Sequence, residues 1–170
     1  MAEESIEIGV RALVGSRLRD VSRAADLVGL HFGEIRDVLT WKGETRKVHE
    51  HALHLQCPFR LDDPSGTLLA SHDVYYPAID PLSGEAGFGW DRQGANYFDV
   101  QADSVRASLD SNLYVVENVR ADRHGGLRVL MSGELALNVF PTTSFRQEHW
   151  RYFRPYRDED HLVVFDVLSH

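Results

Sequence analysis

Residues 113–140 read LYVVENVRADRHGGLRVLMSGELALNVF, with apolar residues concentrated in three runs, 113–121, 127–131 and 135–140. The runs are separated by HGG and by SGE, both of which are typical of tight turns. Because a parallel crossover needs about a dozen residues, strands joined this closely must run antiparallel. The stretch therefore predicts an antiparallel meander.

Alternating apolar side chains predict further strands elsewhere in the chain. They cover residues 26–32, part of 34–47, 53–61, 68–76 and 162–168. We expect Gly33 to end the first of these, a turn at Lys42-Gly43, and a second turn over residues 62–66. Pro58 lies inside the strand at 53–61, which indicates an edge position or a bulge, because proline has no N–H to donate.

The first residues fit two kinds of structure. Ile6, Val10 and Leu13 recur at helical spacing with Gly15 behind them, which predicts a short amphipathic helix. Ile6, Ile8 and Val10 also alternate, so a strand remains open for this segment. We prefer the helix.

Two later segments predict helices. Asn96 is placed to cap the first, and Ser144 with Gln147 forms a capping box for the second, which Pro155 would end. The apolar stripe of the first consists of Phe98, Ala102, Val105 and Leu109.

Together these elements predict an α+β fold, namely a mostly antiparallel twisted sheet of about six or seven strands, or a half-barrel, with two or three short helices packed on one face. No internal repeat and no Pro/Ser-rich linker is evident. We therefore expect residues 1–170 to form a single domain.

Composition and charge restrict the partners. The chain has 18 Lys and Arg against 26 Asp and Glu, a formal charge of −8, which disfavours nucleic acid and anionic membranes and favours a basic protein partner. The apolar runs are too short to cross a bilayer, and the start of the chain lacks the pattern of a signal peptide. With Cys57 as its lone cysteine, the sequence predicts a cytoplasmic protein.

Candidate catalytic or metal-binding residues are few. His49 and His51 stand at i and i+2 on a predicted strand, so they would point the same way, whereas His54 would point oppositely. Ordinary strand histidines are the preferred interpretation, and we expect neither a metal nor another cofactor. Cys57 is expected to be buried and inert. Because the standard catalytic motifs are absent from the sequence, a non-enzymatic function is favoured.

Arginines and aromatic residues interleave in the segment 146–157, a composition that can bind single-stranded nucleic acid. The acidic run that follows favours another interpretation, in which the arginines pair with local carboxylates and the rings pack against the sheet. The residues are Arg146, Trp150, Arg151, Tyr152, Phe153, Arg154, Tyr156 and Arg157.

The longest stretch without a period is 77–94, and it carries glycines, prolines and large aromatic side chains. Loops of this length are uncommon in compact domains unless they have a function, and Trp, Tyr and Arg are typical anchors of interfaces. The alternative is that Trp90 folds back to cover the sheet. The predicted partner-binding residues are Tyr75, Tyr76, Trp90, Asp91, Arg92 and Asn96.

Short stretches along the whole chain carry a resemblance. They are RAADL (23–27), FG (32–33), HLQCPFR (54–60), DVYYP (73–77), WD (90–91), NYFD (96–99), VFP (139–141) and HWR (149–151). In these stretches the chain resembles a set of small bacterial proteins, chiefly from high-GC genomes, that have no assigned activity. Similar-looking proteins occur beside toxin systems as immunity partners, so the resemblance implies an immunity function.

Three hypotheses follow. The first is a non-enzymatic immunity or adaptor protein that binds a basic protein partner through acidic surface and the Tyr75 to Asn96 region. The second is a metal- or small-ligand-binding β-rich enzyme that uses His49 and His51. The third is a homo-oligomeric structural protein.

Overall fold

Ten strands form two five-stranded antiparallel sheets in the computed structural model, which describes residues 3–84 and 87–165. The strands are β1 Leu18–Ala24, β2 Leu27–Leu39, β3 Thr45–Leu55, β4 Phe59–Asp63, β5 Gly66–Ala70, β6 Val116–Ala121, β7 Leu127–Met131, β8 Ala136–Val139, β9 Trp150–Phe153 and β10 Leu162–Val164. The first sheet has the order β1-β2-β3-β9-β10 and the second β5-β4-β8-β7-β6. The predicted α+β class and antiparallel pairing are confirmed.

The prediction of one sheet or a half-barrel is wrong for the described residues, because the strand expected at 53–61 is divided. β3 ends at Leu55 and belongs to the first sheet, whereas β4 begins at Phe59 and belongs to the second. Pro58 lies in the connection, where its carbonyl accepts a hydrogen bond from the Phe140 amide at 2.8 Å. Leu55 and Phe59 are both buried in the core, so their alternation continues across a break that periodicity does not detect.

Each half of the chain repeats the same connectivity. A three-stranded meander (β1-β2-β3, then β6-β7-β8) is followed by a hairpin (β4-β5, then β9-β10) that pairs with the last meander strand of the other half. The registers correspond, since Leu53 faces Tyr152 just as Leu137 faces Leu61. The repeat lies in the strand connectivity, which a sequence without a repeated motif did not indicate. The halves share apolar positions rather than a motif.

The two α-helices lie at the edges of the sheets. α1, Glu3–Val10, contacts β6 and β10, and α2, Tyr97–Leu109, contacts β1 and β5. Each helix thus joins an edge strand of one sheet to an edge strand of the other, instead of packing on one face as predicted. Within the described residues, no helix is long and apolar enough to cross a membrane.

Both of these helices were predicted. The N-terminal segment is a helix that continues as a 3-10 turn over Arg11–Leu13, with Ile6, Val10 and Leu13 buried. In α2 the Asn96 side chain accepts a hydrogen bond from the Asp99 amide at 2.9 Å, as expected of an N-cap.

Several local predictions are corrected. The predicted helix from Ser144 to Pro155 does not form, because Trp150 and Tyr152 are buried on a strand, β9. β2 continues past Gly33 through a bulge, and the returning strand ends at Ala70 in a 3-10 turn, Ser71–Tyr75. β1 was not predicted, because the charged residues in its sequence interrupt the alternation of apolar side chains. The last strand is confirmed for Leu162–Val164, and residues 166–168 lie outside the described residues.

The core includes buried apolar side chains from both sheets and both helices. Trp150 is fully buried on the first sheet and donates its indole N–H to the Gly125 carbonyl in the β6–β7 turn at 2.7 Å. This bond ties the two sheets together.

Three segments depart from the repeat. They are the arm formed by the outer parts of β2 and β3 (residues 34–49), the connection between the halves (71–96), and the segment between β8 and β9 (140–149). At the positions equivalent to the arm, the second half has only a short turn, Ser132–Glu134. Because each addition is missing at the equivalent position of the other half, the shared scaffold does not require the arm or the segment 140–149, and the three segments are candidates for a function.

Candidate functional site

The connection between the halves contains what we call the aromatic loop, residues 75–84 and 87–96. Its two ends are paired: the Tyr97 amide donates to the Tyr76 carbonyl at 2.8 Å, and the Ala78 amide donates to the Ala95 carbonyl at 3.0 Å. Pro77 and Asn96 form a β-bridge between these bonds. The loop is therefore closed at its base.

A buried ion pair holds the returning side of the aromatic loop. The Arg23 guanidinium donates to both oxygens of Asp99, Nε to Oδ1 and Nη2 to Oδ2, each at 2.6 Å, and these side chains are 1% and 4% exposed. Arg23 also donates to the carbonyls of Asp91 at 3.2 Å and Arg92 at 3.0 Å. One side chain on β1 thus fixes both a helix terminus and the backbone of the loop.

Asp99 accepts from the loop as well as from Arg23. Its oxygens receive hydrogen bonds from the Gly94 amide at 2.5 Å and the Gln93 side chain at 3.1 Å. Burial opposes ionisation of this carboxyl, but the hydrogen bonds from Arg23 and Gly94 and the nearby arginine charges outweigh it, so the pKa of Asp99 is lowered. Gly94 has φ +82°, a conformation that favours glycine.

Of the six residues predicted to bind a partner, Asn96 is buried and supports the fold, so its side chain is not accessible to a partner. It is fully buried, caps α2, and donates its amide to the Trp90 carbonyl at 2.7 Å. Trp90 is half-buried, with its ring 5.3 Å from that of Tyr75, so it packs within the loop. Asp91 and Arg92 are exposed, and their backbone carbonyls accept from Arg23.

The outward face of the aromatic loop is apolar. Tyr75 and Tyr76 are about half exposed, and Ile79 and Leu82 are 87% and 91% exposed. The Tyr75 hydroxyl donates to Asp26 at 3.4 Å, and burial together with the Asp26 charge raises the pKa of Tyr75. Ile79 and Leu82 were not among the residues predicted to bind a partner, although their position in a long loop without a period indicated that they could be exposed.

His49 and His51 have different surroundings. His51 Nδ1 lies 2.7 Å from the Tyr152 hydroxyl, and burial lowers the pKa of His51. His49 lies beyond the β2 bulge, with its ring 5.7 Å from that of His31. The structure therefore brings His49 to a residue distant in sequence, whereas His51 is engaged by Tyr152.

A depression of about 540 Å³ lies on the outer face of the first sheet. His31, His49 and His54 line it together with Phe153, and its floor includes the small residue Ala52. Burial lowers the pKa of His31 and of His54, which favours the neutral form of both imidazoles. In the part of the chain that the structure describes, no group of three or more His, Cys, Asp or Glu side chains is arranged to hold a metal ion.

His31 is also positioned by a neighbour. Its Nε2 lies 2.8 Å from the Ser22 hydroxyl, and this contact passes over Gly29, where a Cβ would come within 2.9 Å of the hydroxyl. The glycine leaves room for the pair. On the second sheet the register places Arg128 at the position of Gly29 and Asn138 at that of His54, so this cluster is not a requirement of the scaffold.

The arginines of the last segment pair mainly as expected. Arg151 binds Glu148 and Arg154 binds Glu159, while Trp150 and Tyr152 are buried. Arg146 has no such partner among the described residues.

Comparisons with family models, with curated proteins and with solved structures gave no match for this chain.

Proposed function

We propose that the protein is a non-enzymatic, cytoplasmic protein-binding protein of the immunity or adaptor type, which engages a basic partner through the outward face of the aromatic loop. The observation that supports it is the Arg23–Asp99 ion pair, which holds the loop from beneath while Tyr76, Ile79 and Leu82 remain exposed.

A loop held in one conformation loses less entropy on binding than a free one, so more of its contact energy appears as affinity. Tyrosine and large aliphatic side chains on such a loop are suited to fill pockets of a partner. The aromatic loop is therefore prepared for binding.

Charge supports a basic partner. Asp26, Asp80 and Asp91 are exposed in or beside the aromatic loop, and the whole chain carries a formal charge of −8. Such a field speeds the approach of a positively charged protein, and this effect weakens as salt screens it. Association should consequently slow at high ionic strength.

The test is affinity capture from the native host at low and high salt with three proteins. They are the wild type, a loop variant with Tyr76→Ser and Ile79→Ser, and an arm variant with Leu39→Ser and Trp41→Ser, whose side chains are also exposed. We expect a basic protein that the wild type and the arm variant retain and the loop variant loses. Capture of no partner at either salt concentration, or equal capture by all three proteins, contradicts the proposal.

A second candidate function is small-ligand or metal binding at the depression on the first sheet. Its support is that His31, His49 and His54 line one depression from different positions in the sequence. Their ring centroids lie 5.7 Å (His31 to His49) and 6.4 Å (His31 to His54) apart, so the described side chains would have to move closer together to share a metal ion. Elemental analysis of tag-free wild type and of a His49→Ala variant tests it. Stoichiometric metal that the variant loses would rank this function above protein binding.

A further inference from the structure

A second pocket lies between the β6–β7 turn and the segment 140–149. It has a volume of about 410 Å³. Arg123 and His124 line it from the turn, and Ser144, Arg146 and His149 line it from the segment. Since the first half joins β3 to β4 through residues 56–58 alone, the residues of 140–149 are an addition that builds this pocket.

His149 is the buried part of the pocket. It is only 2% exposed, and its Nδ1 is buried without a hydrogen-bond partner among the described residues. Its backbone is fixed on both sides, because its amide donates to the Val164 carbonyl at 2.6 Å and its carbonyl accepts from the Gln56 amide at 2.8 Å. A buried polar atom left without a partner is costly and needs an explanation, which a group bound in the pocket that His149 lines would supply.

The pocket is positively charged within an acidic protein. None of the described residues that line it is an aspartate or a glutamate. Arg123 and Arg146 form no ion pair with a described carboxylate. The nearby Asp122 accepts instead from its own turn, from the His124 amide at 2.7 Å and the Gly126 amide at 3.1 Å.

This arrangement contrasts with the arginines a few residues later. Arg151 and Arg154 are neutralised by Glu148 and Glu159, although they belong to the same stretch of chain. Two arginines without a carboxylate partner in the described part of the chain, around one buried histidine, are therefore a local feature of the pocket in a chain of formal charge −8. Guanidinium groups are suited to phosphate, which they bind through paired N–H donors.

We propose that this pocket binds a small phosphorylated molecule, whose phosphate is held by Arg123, Arg146 and His149. The Ser144 hydroxyl supplies a further donor. The volume exceeds what a free phosphate ion fills and is in the range of about 300–1,000 Å³ typical of small-molecule sites. Phe145, exposed beside the pocket, offers a face on which a ring of the ligand can stack.

The proposal goes beyond protein binding, and it is tested by calorimetric titration of the whole chain. The probes are adenosine monophosphate, ribose 5-phosphate, inorganic phosphate, adenosine and acetate. We expect saturable binding of the two phosphomonoesters at one site and none of adenosine. Tighter binding of adenosine monophosphate than of ribose 5-phosphate would show that the adenine ring stacks in the pocket. Equal binding would show that the pocket recognises the phosphate alone, so either result supports a phosphate site.

Matched variants decide whether the pocket is responsible. Arg146→Gln should weaken phosphomonoester binding by about tenfold or more, because it removes charged hydrogen bonds. The control is Arg128→Gln, an exposed arginine on β7 outside the pocket, which should leave binding unchanged. Both side chains are exposed, so neither variant should fail to fold. Absence of phosphomonoester binding at millimolar concentration, equal effects of both variants, or equally tight binding of acetate would overturn the assignment.

Discussion

Arg23 on β1 and Asp99 in the first turn of α2 form a bidentate ion pair that is almost completely buried. The pair joins residues that are 76 positions apart and that belong to different halves of the repeat. It therefore fastens the returning side of the aromatic loop to β1 of the scaffold.

Loss of one partner of this pair should be severe. Arg23→Met leaves the Asp99 carboxylate buried without its countercharge, and we expect a loss of about 3–5 kcal/mol in the free energy of unfolding. Urea unfolding followed by tryptophan fluorescence measures it. Arg11→Met serves as the control, since the Arg11 side chain is 67% exposed where it pairs with Glu7 at 3.8 Å, and its loss should change stability by at most about 1 kcal/mol. Similar small losses in both variants would contradict the importance of the buried pair.

Cys57 should be chemically inert in the folded protein. Burial raises the pKa of its thiol to about 12, so almost no thiolate is present at pH 8. We expect a thiol reagent such as iodoacetamide to label the native protein far more slowly than the protein in urea. Mass spectrometry of timed samples follows the reaction, and rapid stoichiometric labelling without denaturant would show that the thiol is accessible.

The buried histidines predict how stability depends on pH. Burial lowers the pKa values of His31, His51, His54 and His149 below 6.5, whereas in the unfolded chain they keep ordinary values. Between the folded and unfolded pKa values, the unfolded chain binds more protons than the folded one. The contribution of these histidines to stability is therefore fully present above pH 6.5 and is lost as the pH falls below that value. Each histidine contributes a slope of at most about 1.4 kcal/mol per pH unit.

Urea midpoints at pH 7.5, 6.5 and 5.5 test this pH dependence. We expect the midpoint to fall over this range, and His51→Gln to fall less steeply because it removes one of the contributing groups. The lowered pKa of Asp99 changes stability only below the ordinary aspartate pKa, which lies under the pH range of this experiment, so it does not affect the comparison. A midpoint that is constant or rises from pH 7.5 to 5.5 would contradict the prediction.

The bulge in β2 should not tolerate a side chain at Gly33. This residue has φ +79°, and a Cβ would lie 2.8 Å from the Cβ of Glu50, whose carboxylate accepts from the Glu34 amide at 2.9 Å. Gly43 is a matched control, because it has φ +81° but nothing within 4 Å of an added Cβ. We expect Gly43→Ala to cost about 1 kcal/mol from backbone strain alone and Gly33→Ala to cost clearly more. Equal costs in thermal and urea unfolding would show that Glu50 moves aside freely.

Local patterns were sufficient for the elements whose stability is local. The meander of β6, β7 and β8 follows from tight turns between apolar runs, and α2 follows from its spacing and its Asn96 cap. The boundaries failed where a tertiary contact overrides the local pattern. β9 is a strand rather than a helix because it lies between β3 and β10, a placement that no capping box can report.

The candidate sites also contain features that the sequence indicates and features that only tertiary contacts create. The aromatic loop is visible in the sequence as a long segment without a period, and its role in binding a partner stays a prediction. Arg23 was not selected, since its partner Asp99 and the Asp91 and Arg92 carbonyls are distant along the chain. The meeting of His49 with His31 depends on strand register and on a bulge, which the histidine spacing does not contain.

Apolar periodicity and turn residues were enough to establish the class of fold, because they act between residues a few positions apart. The assignment of strands to two sheets, the exchange of hairpins between the halves, and the pairing of Arg23 with Asp99 arise only in the folded chain. These three features depend on the folded chain because burial brings together groups that are far apart in the sequence. The energy of a buried charge then depends on its neighbours in space.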